Sequence, residues 1–479
     1  MEDKMQTKNI PTIIVIFGIT GDLVKKKIMP ALFSLFINNQ LPTTFKIVGF
    51  SRQDISPKDF EKYLFETSAQ YKDANIKTRK AFCKLFSYHS GVFENLADFE
   101  DLENHLRKID DDWGICANKL FYLAVPPNLY EAIFKNLAAS ELTKPCSPEE
   151  GWTRILVEKP FGKNLETSEQ LEELLSSLFK EVQIYRTDHY LAKEMLQNIL
   201  AFRFSNNLFE TNWGRQNIER VHIRLMEKIG VEDRGNFYDS VGALQDVGQN
   251  HLLQMLALVT MEHPREFSVD AIRKNRADIL KTLVLPTEED VRTSAFRAQY
   301  AGYRDIAGVA PDSQTETYFK IRAFLSHPKW KGVPFILESG KRLQDQRKDI
   351  EITLRHPNPC LCPKKEQHYK NKLTIGIEPI EGVTIHFGSK KEGFDMELEE
   401  RTLDFRFRDA EKRTQYIEEY KKLLLDGIAG DQTLFVSSEE VRAMWRFIDP
   451  IIIGWRKNLM TLAYYQPDTS FVFADSFVE

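Results

Sequence analysis

Cysteine is scarce in this chain of 479 residues: Cys83, Cys116, Cys146, Cys360 and Cys362 are all there are. An odd set in which only the last two lie close together makes no disulfide framework. A C-x-C without a second Cys or His cluster at metal-site spacing argues only weakly for zinc. The expectation is no bound metal and a reducing, cytoplasmic setting. Long apolar runs are also missing near the start. "MEDKMQTKNI" is polar and mixed in charge, and the run Ile13 to Phe17 is too short for a signal peptide or a membrane span. Neither export nor a membrane partner is expected. Excess positive charge is absent too: 65 Lys and Arg against 70 Asp and Glu give a formal net charge of -5. With no basic stripe, a nucleic-acid partner is not expected. Low-complexity tracts are lacking, and 42% apolar with 28% charged residues is the balance of a globular protein with ample core.

The length exceeds what one ordinary core holds, and the pattern changes midway. From residue 12 to about 186, short apolar runs such as "TIIVIFG", "FKIVGF", "KLFYLAV" and "RILVE" alternate with helix-like segments. Strands alternating with helices predict a doubly wound parallel sheet. Beyond about residue 205, period-two strands follow one another without helices between them: "ERVHIRLME", "ETYFKIRAF", "DIEITLRH", "KLTIGIE", "GVTIHFG" and "MELEERTLDFRF". That pattern predicts a mostly antiparallel sheet in an α+β half. The expected division is residues 1–186 and 187–479. One helix in the second half, "GALQDVGQNHLLQMLALVTM", is apolar on nearly every face beyond Asn250 and is expected to be buried, carrying His251 with it. His222 and His356 lie in strand-like alternation and are expected to face solvent.

Chemistry concentrates at a few places. Gly18 and Gly21 stand between a buried strand and a helix, where backbone N–H groups can approach a pyrophosphate. The full G-x-G-x-x-G is absent, so a plain tight turn with Asp22 at the helix start remains an alternative. Arg52, just after the next strand, suits a 2'-phosphate and so NADP; Asp54 nearby keeps NAD open. Lys159 follows a strand end and precedes Pro160 in "RILVEKPFG", where an X-Pro bond can be cis. In "YRTDHYLAKE", a helix beginning near Asp188 places His189, Tyr190 and Lys193 on one face near its positive end, a phosphate-binding arrangement. The alternative makes Asp188 an N-cap and the others a wet face.

Six motifs together carry a family resemblance. G-x-x-G-D-L at 18–23, E-K-P-F-G at 158–162, D-H-Y-L-x-K-E at 188–194, Q-N-H-L-L-Q at 249–254, G-V-P-F-I-L-x-x-G-K at 332–341 and G-D-Q-T-L-F at 430–435 occur in order. In order and approximate spacing they resemble the glucose-6-phosphate dehydrogenases, up to about residue 455. The resemblance implies an α/β Rossmann coenzyme domain over 1–186. A larger α+β domain with a mostly antiparallel sheet, over 187–479, would bind substrate and dimerise. It implies oxidation of glucose 6-phosphate to the 6-phosphogluconolactone, the first oxidative step of the pentose phosphate pathway. NADP is the implied coenzyme, with NAD as a weaker alternative, and a homodimer or homotetramer the implied assembly.

Roles follow from the same resemblance. His251 is implied as the base that takes the C1 hydroxyl proton, with Asp188 holding its imidazole. His189, Tyr190 and Lys193 are implied to clasp the 6-phosphate, while Glu227, Asp246 and Lys341 contact the sugar. Lys159 touches both sugar and coenzyme. Gly18, Thr20, Gly21, Asp22, Leu23 and Arg52 line the coenzyme. The chemistry agrees, because hydride departure from C1 builds positive charge unless the hydroxyl proton leaves as well, and a steadied imidazole can take it. The five-residue step from Asp246 to His251 is not a same-face spacing on an α-helix. Some positions depart from the family: Ala192 replaces a usual Gly, and Glu378 a usual Gln that contacts substrate. Glu338 stands where animal members have an Arg for a second, structural NADP, so no such site is expected. Another sugar oxidoreductase, or a non-catalytic relative acting as a binding partner, is the competing reading; the phosphate clasp and the retained Asp188, His251 and Lys159 argue against them.

Overall fold

The computed structural model describes residues 11–67, 75–146, 151–206, 210–360, 362, 368–407, 415–470 and 472–473. The chain divides into two compact units. The first comprises residues 1–162, 166–192 and 414–438, and the second 163–165, 193–413 and 439–479.

In the first unit, β1 (Thr12–Phe17), β2 (Phe45–Ser51), β3 (Phe86–Ser90), β4 (Asn118–Leu123), β5 (Thr153–Glu158) and β6 (Ile184–Thr187) lie in the order β6-β5-β4-β1-β2-β3, all parallel. Both faces of such a sheet are covered, which is why β1 and β4 are buried at every position and read as unbroken apolar runs. The strand order reverses between β1 and β4, the switch point at whose carboxyl edge ligands bind. A seventh strand, Phe435–Val436, adds antiparallel to the β6 edge. The G-D-Q-T-L-F stretch fixes it there, since the Gln432 amide donates to the carbonyls of Ile184 and Glu181 at 2.9 and 3.0 Å. Beside it, Arg186 is wholly buried and forks onto Glu172, with Nη1 on Glu181.

The second unit holds a nine-stranded sheet. Its strands are β7 (Ile218–Met226), β8 (Ala295–Tyr300), β9 (Tyr318–Ala323), β10 (Phe335–Gly340), β11 (Arg347–Leu354), β12 (Lys372–Glu378), β13 (Gly382–Lys390) and β14 (Leu398–Arg406). With Phe435–Val436 counted as β15, the last strand is β16 (Ala463–Tyr465), and the order is β14-β13-β12-β11-β7-β10-β9-β8-β16. Only β7 with β10 and β8 with β16 pair in parallel, so the sheet is mostly antiparallel, as the period-two pattern predicts. Val221, Ile223 and Leu225 share a buried face of β7.

Two expectations are corrected here. His222, on the opposite face of β7, is 4% exposed and not in solvent. Its Nε2 lies 2.6 Å from Glu338 on β10, and that carboxylate also accepts from Tyr318 on β9. Alternation gives the side of a strand but not whether that side is covered. Cys116 and Cys146 are joined as a disulfide with Cα atoms 6.5 Å apart, where the sequence suggests no pairing. Thirty residues separate them, and β4 with the helix Tyr130–Ala139 lies between, so the pairing has no local signal. No helix among the described residues is long and apolar enough to cross a membrane.

Candidate active site

The turn after β1 is built for close backbone approach. Gly18 has φ +80°, and a Cβ there would stand 2.6 Å from the carbonyl oxygen of Ala124, just past β4. A side chain is excluded by both conformation and space. The Gly18 N–H donates to Phe50 at 2.8 Å, and Gly21 N–H to Gly18 at 2.9 Å, which turns the chain into a helix. That helix begins at Asp22 and Leu23, runs through wide i→i+5 turns over Val24–Ile28 and continues as Met29–Ile37. The Thr20 hydroxyl faces Ser51, the last residue of β2, at 3.5 Å. Arg52 is exposed immediately beyond, its guanidinium 5.7 Å from the Phe93 ring centre. Asp22 is exposed and pairs with Lys26. The residues expected to line a coenzyme thus meet at the carboxyl ends of β1 and β2. A glycine cradle, a helix N-terminus and an exposed guanidinium fit a nicotinamide dinucleotide.

Farther along the same edge, β5 ends in Glu158 and is followed by Lys159 and a cis Lys159–Pro160 bond. Glu158, which sequence reasoning passed over, accepts from the Tyr122 hydroxyl at 2.5 Å, while its carbonyl accepts from Tyr130. Burial pushes its carboxyl up to about 7 against the Tyr122 hydroxyl and the Lys159 charge, with Asp188 adding to the rise. A buried carboxyl raised that far beside Lys159 and Asp188, at the carboxyl edge of the parallel sheet, is a functional-site signal. β6 ends at Thr187, and buried Asp188 accepts the Tyr190 N–H at 3.0 Å.

The helix expected to start there does not. His189–Ala192 makes a single tight turn; Lys193 is extended at φ -65°, ψ 129°, and the helix is Glu194–Phe204. The α-helical spacing of His189, Tyr190 and Lys193 therefore does not apply. Asp188 caps the short turn, and Ala192 closes it, buried. The His189 ring lies 5.1 Å from Tyr190 and stacks on Tyr420 at 6.3 Å.

In the second unit, Lys193 is 5% exposed, and its Nζ lies 2.6 Å from Glu378 at the end of β12. The other Glu378 oxygen lies 2.6 Å from Lys348 of β11, its register partner. Burial would raise the Glu378 carboxyl, but the two ammonium groups outweigh it and hold it below its ordinary value. Two cations share one carboxylate, so the triad by itself keeps one positive charge. Lys348 carried no signal in the sequence, because strand register alone brings it to Glu378.

His251 is 1% exposed in the helix Leu244–Leu252, which continues as Leu253–Thr260. The expectation that Asp246 and His251 lie on different faces is corrected by its winding. Leu244–Leu252 has i→i+5 turns, which bring residues five apart nearly into line. Glu316 anchors the start of this helix: its carbonyl accepts Ala243 N–H at 3.0 Å and its side chain Leu244 N–H at 2.9 Å. Gly242, at φ +74°, leaves room for that carboxyl, since a Cβ would meet Oε1 at 2.4 Å. Burial pushes Glu316 up to about 7. Lys341, following β10, pairs with Glu227 and lies 5.4 Å from the Tyr238 ring centre. Burial, and then Asp246, Glu316, Tyr465 and Glu227, drive the Tyr238 phenol far up. Glu227, Asp246 and Lys341 thus gather around one buried tyrosine whose hydroxyl has no hydrogen-bond partner among the described residues. Tyr238 and Glu316 were missed because their role depends on what packs beside them.

Two family models match the chain in succession, the second taking in residues 414–438, which pack with the first unit. Residues 15–198 match the family described as glucose-6-phosphate dehydrogenase, NAD binding domain, and residues 200–471 its C-terminal domain. A glucose-6-phosphate 1-dehydrogenase of Chlamydia muridarum is 37% identical over 93% of this chain and 91% of its own. That of Aggregatibacter actinomycetemcomitans is 38% identical over 92% and 90%. A solved structure described as glucose-6-phosphate dehydrogenase in complex with its substrate glucose-6-phosphate matches with TM-score 0.89 and 30% identity over 98% of each chain. The two family models together span nearly the whole chain and the relatives match it over most of its length, and the chain belongs to the glucose-6-phosphate dehydrogenase family.

Proposed function

We propose that the protein oxidises glucose 6-phosphate at C1 to the 6-phosphogluconolactone with NADP as acceptor, NAD serving as a weaker alternative. The observation that carries the reading is correspondence over nearly the whole chain with relatives of that name, in both the coenzyme and the substrate half. NADP when bound supplies the nicotinamide that accepts the hydride. The chain's residues do the rest. His251 takes the proton from the C1 hydroxyl as the C1–H electron pair departs, leaving a C1 carbonyl; Asp188 orients the imidazole. His189, Tyr190 and Lys193 hold the 6-phosphate, Glu227, Asp246 and Lys341 the sugar, and Lys159 both ligands. Gly18 to Leu23 receive the pyrophosphate and Arg52 the 2'-phosphate. The positive charge of the Lys193–Glu378–Lys348 triad supports the phosphate assignment.

The functional division proposed is coenzyme over 1–186 and substrate and dimerisation over 187–479, with 414–438 structurally part of the first unit. A cytoplasmic homodimer or homotetramer acting in the pentose phosphate pathway completes the proposal. The exposed Leu403 and Phe405 on edge strand β14 support such an assembly. The test is absorbance at the NADPH band with glucose 6-phosphate, glucose and other phosphosugars, each with NADP and NAD. A preference for unphosphorylated sugar would overturn the reading.

A further inference from the structure

The connection between β11 and β12, residues 355–371, gathers four metal-ligating side chains that the proposed reaction does not use. They are His356, Cys360, Cys362 and His368. One donor atom of each lies within 4.8 Å of all the others. Cys362 Sγ is 3.5 Å from His356 Nε2, and Cys360 Sγ is 3.0 Å from His368 Nε2. In tetrahedral zinc, with Zn–S of about 2.3 Å and Zn–N of about 2.0 Å, sulfur and nitrogen ligands stand roughly 3.5 Å apart. Two of the sulfur–nitrogen pairs are already at about that separation, and every other pair lies within 4.8 Å. The sequence offered only a C-x-C; the fold supplies the two histidines, so His356, expected in solvent as an ordinary strand residue, belongs to this cluster.

We propose that this loop binds one Zn²⁺ through Cys360, Cys362, His356 and His368, as a structural Cys2His2 centre. Two thiolates balance the charge of the dication and two neutral imidazoles complete a tetrahedron. Hard cations such as Mg²⁺ and Ca²⁺ select oxygen ligands, and none of the four donors is oxygen. Cys360 and His368 are exposed, which gives the ion a way in.

The role is structural because of where the cluster lies. The loop's ends are tied to the sheet, Leu354 N–H to Asn371 at 2.9 Å, Arg355 N–H to Asn217 at 2.6 Å and Lys370 to Glu219 at 2.7 Å. An ion held by His356, Cys360, Cys362 and His368 ties the two limbs of the connection together, and binding energy that only the folded chain collects is folding energy. Lys348 and Glu378 pair at the opposite end of the same two strands, a strand length of about 20 Å away. The ion therefore takes no part in the proposed phosphate contact at Lys193, which pairs with Glu378.

The test uses full-length, untagged protein grown with zinc. Elemental analysis is expected to find about one zinc per chain, and at least about tenfold less in the Cys360→Ser/Cys362→Ser double variant. Stripping with chelator and titrating with Co²⁺ reads the ligands directly, whether or not the variant folds well. The native chain is expected to develop a thiolate-to-cobalt charge-transfer band with tetrahedral ligand-field bands, saturating at one equivalent. The double variant, and His356→Ala with His368→Ala, are expected to lose them. Chelation is expected to lower the melting temperature and leave the KM for substrate unchanged. Native protein without zinc, no charge-transfer band, preferential Cu(I) loading, or a Cys360–Cys362 disulfide that takes no ion would each overturn the proposal.

Discussion

In the first unit, the residues proposed to line the coenzyme are brought together by short connections. Gly18 to Leu23 follow β1 directly, Arg52 follows β2, and Glu158 with Lys159 ends β5. In the second unit, the side chains that meet are far apart in the chain: Lys193 with Glu378, Lys341 with Glu227, and Glu316 with the backbone of Leu244. A doubly wound parallel sheet delivers every strand's carboxyl end to one edge, so a residue just past a strand is automatically at the ligand edge. An antiparallel sheet has no such edge, and its meetings are set by register and by helices packed upon it. One region is therefore specified by local motifs and the other by distant pairs.

The largest expected effect attacks the distant arrangement. His251→Asn keeps a polar side chain but removes the proposed base, and kcat is expected to fall by about 10² to 10⁴ while glucose 6-phosphate still binds in equilibrium titration. Near-normal turnover would sink the assignment. Lys193→Ala should raise the KM for glucose 6-phosphate by about tenfold to a hundredfold, the range of a lost charge-assisted hydrogen bond, with the KM for NADP nearly unchanged. Glu378→Gln sharpens that result. It frees Lys193 from a competing carboxylate, so substrate KM should fall; a rise would mean that Glu378 positions Lys193 and does not compete for it.

For the locally specified region the matching change is Arg52→Ala. It should weaken NADP by about tenfold or more and NAD hardly at all, measured by coenzyme KM, because only NADP carries the 2'-phosphate. Equal losses with both coenzymes would return Arg52 to an ordinary exposed charge. The smallest effect compares a tuned carboxyl from each region. Burial raises Glu158 and Glu316 to about 7 from an ordinary 4.5. A carboxyl whose folded value is raised favours folding in its protonated form, so its contribution is full below about 4.5 and lost as pH rises through about 7. The native melting temperature should therefore drop between about pH 5 and 8, and Glu316→Gln or Glu158→Gln should flatten that slope. A native slope of opposite sign, or one unchanged in both variants, would reject the tuning.

Sequence alone determined the parallel sheet of the first half, the antiparallel sheet of the second and the buried helix under His251, because hydrophobic period reports how a segment is covered. It also determined the glycine turn at Gly18, where φ and space permit no side chain. Tertiary structure decided the rest. The start of the helix at Glu194 and not Asp188, and the wide turns that bring Asp246 into line with His251, depend on hydrogen bonding that residue type does not fix. His222 is buried because β10 and β9 supply Glu338 and Tyr318 opposite it. Lys348 reaches Glu378, and His356 and His368 reach the C-x-C, through pairings and loop closures between residues separated in the chain. Such meetings are properties of the packed whole, since each needs a partner whose position is set only once the sheets have formed.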